Sequence, residues 1–228
     1  MNKKACLFSC LGCGGILSVV LVAMGILTYQ TFQQMSEGFT SPGTVASSVL
    51  ADGETYPPGY AAVVGFGIPF SFDFIMMGEV QTEIQTEDPF EKLAVSLENT
   101  DPSLTLLKMK GAYNDPQLES FLKDGSQSSF HYAQFNVLFH ADDQAQRGFF
   151  GHGSGEILYL STNGRVVLSG EQGSTLQGAY TLFYSKCSDG RAVLGLWFDQ
   201  RAPDEVVEGG PVDPNAFREM VAYFSFCP

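Results

Sequence analysis

From Ala5 to Ser36 the chain contains no Asp, Glu, Lys or Arg. A surface helix of a soluble domain carries a polar, charged face, and this segment offers none. The stretch Leu11 to Tyr29, LGCGGILSVVLVAMGILTY, is its densest part. At helical rise it spans about 28 Å, close to the hydrocarbon thickness of a bilayer.

Positive charge is scarce throughout. The chain has 12 Lys and Arg against 25 Asp and Glu, a net charge of −13. Lys3 and Lys4 precede the apolar run, so the region from Glu37 onward holds ten bases and all 25 acids. A surface that acidic repels phosphates, which argues against nucleic acid as a partner. Recognisable chemistry is also missing. Gly151-His152-Gly153-Ser154-Gly155-Glu156 lacks the glycines two positions either side of Ser154 that a nucleophile elbow needs. It fails as a dinucleotide loop too, because Glu156 replaces the last glycine. Asp124-Gly125-Ser126-Gln127-Ser128 mimics a calcium loop but has Ser129 and Phe135 where Gly and Glu belong. The sequence gives no ground to expect a cofactor and names no catalytic residue.

The apolar run reads as a single transmembrane helix. Lys3 and Lys4 place the N-terminus in the cytoplasm and the remainder outside. Ala23-Met24-Gly25 resembles a signal-peptide cleavage site, but Ile26 and Leu27 continue the run beyond it, which favours a retained anchor. The expected organisation is an anchor over 1–35, a Ser/Thr/Gly/Pro-rich spacer over 36–59 and a β-rich extracytoplasmic domain over 60–228.

The outer region is rich in strand signals. It reads as α+β: a largely antiparallel sheet of seven or eight strands with two or three helices, one C-terminal. Phe70, Phe72, Phe74 and Met76 alternate with Ser71, Asp73, Ile75 and Met77, the period of a half-buried strand with Asp73 outward. Residues 103–110 and 130–139 read as two further strands. Asn163-Gly164 and Asp189-Gly190 predict two hairpins. In the second, Cys187 is expected opposite Ala192, buried on one face with Phe183, Leu194, Leu196 and Phe198. Trp197 is then expected opposite Leu182. Asp213-Pro214 and Asp115-Pro116 supply N-cap and first-turn proline for two helices. Their inward residues would be Phe217, Met220, Val221 and Phe224, and Leu118, Phe121 and Leu122. Residues 89–98 carry both helix and strand signals and stay undecided.

Cys187 and Cys227 are the two cysteines outside the N-terminal segment, and an exported domain favours a disulfide between them. His140, Asp142, His152 and Glu156 are weak candidates for a metal site, by residue type alone. The loop Asp204–Asp213 is a candidate contact segment. Together these features point to a tethered, non-catalytic binding or assembly module. Its partner would be the membrane through residues 11–29, with another envelope protein or a wall component. The competing reading is an envelope enzyme, hydrolytic or metal-dependent, that uses the His140–Glu156 region.

Overall fold

The structure, a computed structural model of the chain, describes residues 42–52, 54–68, 70–80, 100–133, 136–168, 174–200 and 209–227. The expected anchor and the stretch 89–98 lie outside them. No helix among the described residues is long and apolar enough to cross a membrane.

The described elements are α1 (Pro42–Ala46), β1 (Ala61–Ile68), β2 (Phe72–Val80), β3 (Thr100–Met109), α2 (Pro116–Lys123) and β4 (Ser129–Tyr132). They continue as β5 (Val137–Ala141), β6 (Gln146–His152), β7 (Gly155–Leu168), β8 (Ser174–Cys187), β9 (Ala192–Asp199) and α3 (Pro214–Ala222). All nine strands join one antiparallel sheet in the order β1-β2-β3-β9-β8-β7-β5-β4. β6 pairs with the first half of β7, on the edge whose second half pairs with β5. The architecture is thus a mostly antiparallel sheet with few helices.

Both faces of the sheet are covered. On one, α1, the turn that follows it and α3 pack Ala46, Val49, Phe217 and Val221 against Ile75, Leu104, Leu106, Ile157 and Phe183. On the other, α2 and the β4–β5 hairpin pack Leu118, Phe121 and Phe130 against Leu107, Leu160, Leu182 and Tyr184. Double coverage explains β2, where Ile75, Met76 and Met77 are all buried in succession. Asp73 does not stand free in solvent there but pairs with Lys110 at 2.8 Å. Phe70 falls outside the strand.

Helices α2 and α3 form where their caps predict. The Asp115 carboxylate accepts from the Gln117 and Leu118 backbone N–H groups, and the Asp213 carboxylate from that of Asn215. Each thereby satisfies donors that a helix start leaves unpaired. Leu118, Phe121 and Leu122 are buried from α2, and Phe217, Met220 and Val221 from α3.

Four expectations need correction. Residues 42–59, read as spacer, belong to the folded body: Ala46 and Val49 are fully buried and Leu50 bridges to Phe224. The strand expected over 130–139 is a hairpin, with Phe130 opposite Phe139 and Tyr132 opposite Val137. Asn136, at φ 53°, takes up the reversal in its loop, and Phe135 lies outside the described residues. Asn163-Gly164 is not a turn, because β7 runs straight through it in unbroken register with β8. Gly164 is there for space: a Cβ at that position would strike the His140 carbonyl on β5. Gly164→Ala is therefore expected to cost about 1–3 kcal/mol through a clash with backbone that cannot rotate away. Gly151→Ala, whose Cβ would meet nothing within 4 Å, serves as the neutral control in chemical denaturation.

The fourth correction is a register shift in the β8–β9 hairpin. Lys186 pairs with Ala192, and the Cys187 and Arg191 backbones bond across a three-residue loop. Gly190 closes that loop at φ 86°, a conformation glycine adopts without a side-chain clash. One extra residue in the loop turns the pairing over. Trp197 faces Thr181, not Leu182, and lies on the face with Phe183 and Cys187. Leu194 and Phe198 belong to the opposite face.

Candidate functional site

A cleft of about 310 Å³ opens where β9, α3 and the segment before β1 meet. Trp197 and Asp199 reach it from β9, Glu219 and Tyr223 from the end of α3, and Tyr60 with Pro57 and Pro58 from the chain leading into β1. The Trp197 indole Nε1–H donates to the Tyr60 hydroxyl at 2.8 Å. Gly209, Gly210 and Pro211 close one side. They are pinned by the buried Thr181 hydroxyl, which donates to the Pro211 carbonyl.

The chemistry of this cleft is aromatic and acidic. Trp197 and Asp199 are nearly fully buried, so their positions are fixed by the sheet. The described lining residues include two carboxylates, Asp199 and Glu219, and no Lys, Arg or His. Indole and phenol edges beside carboxylates suit a ligand that offers an apolar body and a positive or hydrogen-bond-donating end.

The weak metal candidates are not gathered. His140 pairs with Arg165 on one half of β7, while Glu156 sits at the other, next to the β6–β7 turn. Nine positions of strand separate those levels, about 30 Å. Asp142 stays with His140 and accepts from the Thr162 hydroxyl at 2.8 Å. Burial and the neighbouring Arg165 hold the His140 pKa below its ordinary value. His152 is committed to the core: its Nε2–H donates to the Phe224 carbonyl at 2.8 Å, and its ring lies 5.5 Å from that of Phe226. It holds the chain end in place. Among the described residues no three His, Cys, Asp or Glu side chains are grouped as a metal site would require.

Cys187 and Cys227 form a disulfide across a sequence separation of 40, with Cα atoms 5.3 Å apart. Gly155, paired with Cys187, makes room for it, because a Cβ there would press on the Cys227 sulfur. The glycine-rich stretch is thus the β6–β7 turn, Gly153-Ser154, with a strand end on either side.

The opposite end of the sheet carries a second, shallower cavity of about 400 Å³, lined by Phe70, Phe72, Met109, Ala112 and Tyr113 among others. Its lining has no charged residue. The Tyr113 hydroxyl is turned to Tyr132, 2.9 Å away, and to Asp115. Burial raises the pKa of Tyr113, and it pushes the adjoining Tyr184 up to about 12.

Sequence spacing placed Trp197 on a strand but did not bring it together with Tyr60, Asp199, Glu219 and Tyr223. They come from segments far apart in sequence, and only the correct β8–β9 register turns Trp197 toward them. Residues 204–208 of the expected contact loop lie outside the described residues. Comparison with known proteins gives no match to a family model, to a curated protein or to a solved structure.

Proposed function

We propose that the chain is a membrane-anchored, extracytoplasmic binding or assembly module, held by residues 11–29 and non-catalytic in its outer domain. Its partner is another envelope protein or a wall component, received at the Trp197–Asp199 cleft. The observation that carries the binding reading is the cleft itself: fixed aromatic edges and carboxylates on a rigid sheet, at the junction of three segments. The Cys187–Cys227 disulfide supports the outer location, because such bonds persist in oxidising compartments. The charge-free run beginning at Leu11 supports the tether.

The test is protease treatment of intact cells expressing the full chain with a C-terminal tag, paired with an alkaline wash of their membranes. The expected result is loss of the tag from outside and retention through the wash. A tag protected in intact cells, or protein released by the wash, would overturn the reading. Trp197 is the single tryptophan, so its emission reports occupancy of the cleft directly. Soluble wall fragments or a candidate partner should shift it, and Glu219→Lys should weaken that response.

A further inference from the structure

We infer that the β1–β2 hairpin tip, with Phe70 at its apex, dips into the surface of the same bilayer that holds the N-terminal segment. The inference rests on the anchored reading and goes beyond it, because it assigns the membrane a second contact on the outer domain.

Phe70 is 89% exposed, the most exposed large apolar side chain described. Its backbone is at φ 61° in a turn closed by the Ser71 N–H on the Ile68 carbonyl. Gly or Asn ordinarily fills that turn position, and a bulky residue there is a strained outlier. Such strain marks sites where a side chain is wanted for what it touches. Behind the apex the strands carry Phe66 stacked on Phe74 at 5.0 Å, with Phe72 edge-on at 6.5 Å, and the uncharged cavity opens beside them. The apex is therefore aromatic, and the charges nearest it, Asp73 and Lys110, are paired with each other at 2.8 Å.

Its surroundings are electrostatically unlike the rest of the domain. The turn and strand ends over 70–74, 108–115 and 186–191 hold Lys108, Lys110, Lys186 and Arg191 against Asp73, Asp115 and Asp189, with Glu119 ion-paired to Lys186 at 3.0 Å and Glu156 opposite it, so charge there is nearly balanced. Backbone bonds from Lys110 to Ser71 and from Tyr113 to Gly190 gather them at one end of the sheet. The region from Glu37 onward has ten bases and 25 acids in all. The acidic remainder is repelled by anionic headgroups, whereas this nearly balanced end is repelled far less.

The tether allows the approach. Twelve residues, 30–41, separate the apolar run from Pro42, a reach of at most about 43 Å. Pro42 lies against Gly65 on β1. Five residues of strand and turn, about 17 Å, separate Gly65 from Phe70. The chain thus joins the folded body on the strand that leads to the tip.

The experiment uses the full chain reconstituted in vesicles of phosphatidylcholine and phosphatidylglycerol at 3:1, with Phe70→Trp compared against Phe149→Trp. Phe149, 68% exposed on β6, is the other large apolar side chain in solvent, and the native Trp197 is buried in both variants. Brominated phosphatidylcholine should quench the Phe70→Trp signal at least twofold more than the Phe149→Trp signal. Unchanged near-ultraviolet circular dichroism checks that both variants fold. Equal quenching in chains that float with the vesicles overturns the tip contact and leaves the tether standing. Failure of the unsubstituted chain to float overturns the tether, and the tip contact with it.

Discussion

Replacing Cys187 or Cys227 with Ser is expected to lower the unfolding free energy by about 4 kcal/mol, the loop-entropy value for a closure of this length. The sequence separation of 40 sets that figure. Native contacts add to the effect, since both cysteines lie in the core with Phe183 and Phe226. A domain of this size is stable by only about 5–15 kcal/mol, so the loss is a large fraction of the whole. Guanidinium denaturation of the oxidised chain, the reduced chain and the two single substitutions measures it. Coincident curves for the oxidised and reduced chains would show that the bond constrains nothing that packing does not already hold.

Phe217→Ala is expected to cost a comparable amount, about 3–5 kcal/mol. The side chain is fully buried and is the hub of an aromatic cluster. Its ring centroid lies 5.1 Å from that of Phe183, 5.3 Å from Tyr159 and 5.9 Å from Phe150. Truncation opens a cavity between α3 and β6, β7 and β8, and stiff strands cannot collapse to fill it. Phe217→Leu, which keeps most of the volume, should cost less than half as much in the same experiment. Equal losses would mean that the ring geometry, and not the volume, is what the site requires. Because Phe217 precedes the cleft residues Glu219 and Tyr223 on α3, the alanine substitution should also loosen the binding end of the helix.

Helices α2 and α3 were legible in the sequence because their signals are local, whereas α1 fell in a stretch read as spacer. Asp-Pro at the start and apolar residues at helical spacing are both contained within about ten residues. The disulfide was legible from the count of cysteines outside the N-terminal segment and from the expected compartment. The sheet was harder, since a strand pattern of period two says which residues share a face but not which face meets which neighbour. One extra residue in the Ser188–Gly190 loop moved Trp197 from one layer to the other. Asn163-Gly164 misled for a related reason: the glycine serves a close backbone approach from β5, a contact that no local pattern encodes. The cleft was invisible for the same cause on a larger scale. Its walls come from residues 57–60, 197–199 and 209–223, and the first of these had the composition of a linker.

The bridge between Leu50 and Phe224 joins the beginning of the described fold to its end. It is reinforced by the Ala51 N–H on the Tyr223 carbonyl and the Ser225 N–H on the Val49 carbonyl. Within the described fold, residues 42–51 leave the ribosome long before residues 223–227. The earlier segment must therefore wait, with Ala46 and Val49 uncovered, until the later one has been made. Removing residues 223–227 would release the opening segment of the fold as well as its closing one.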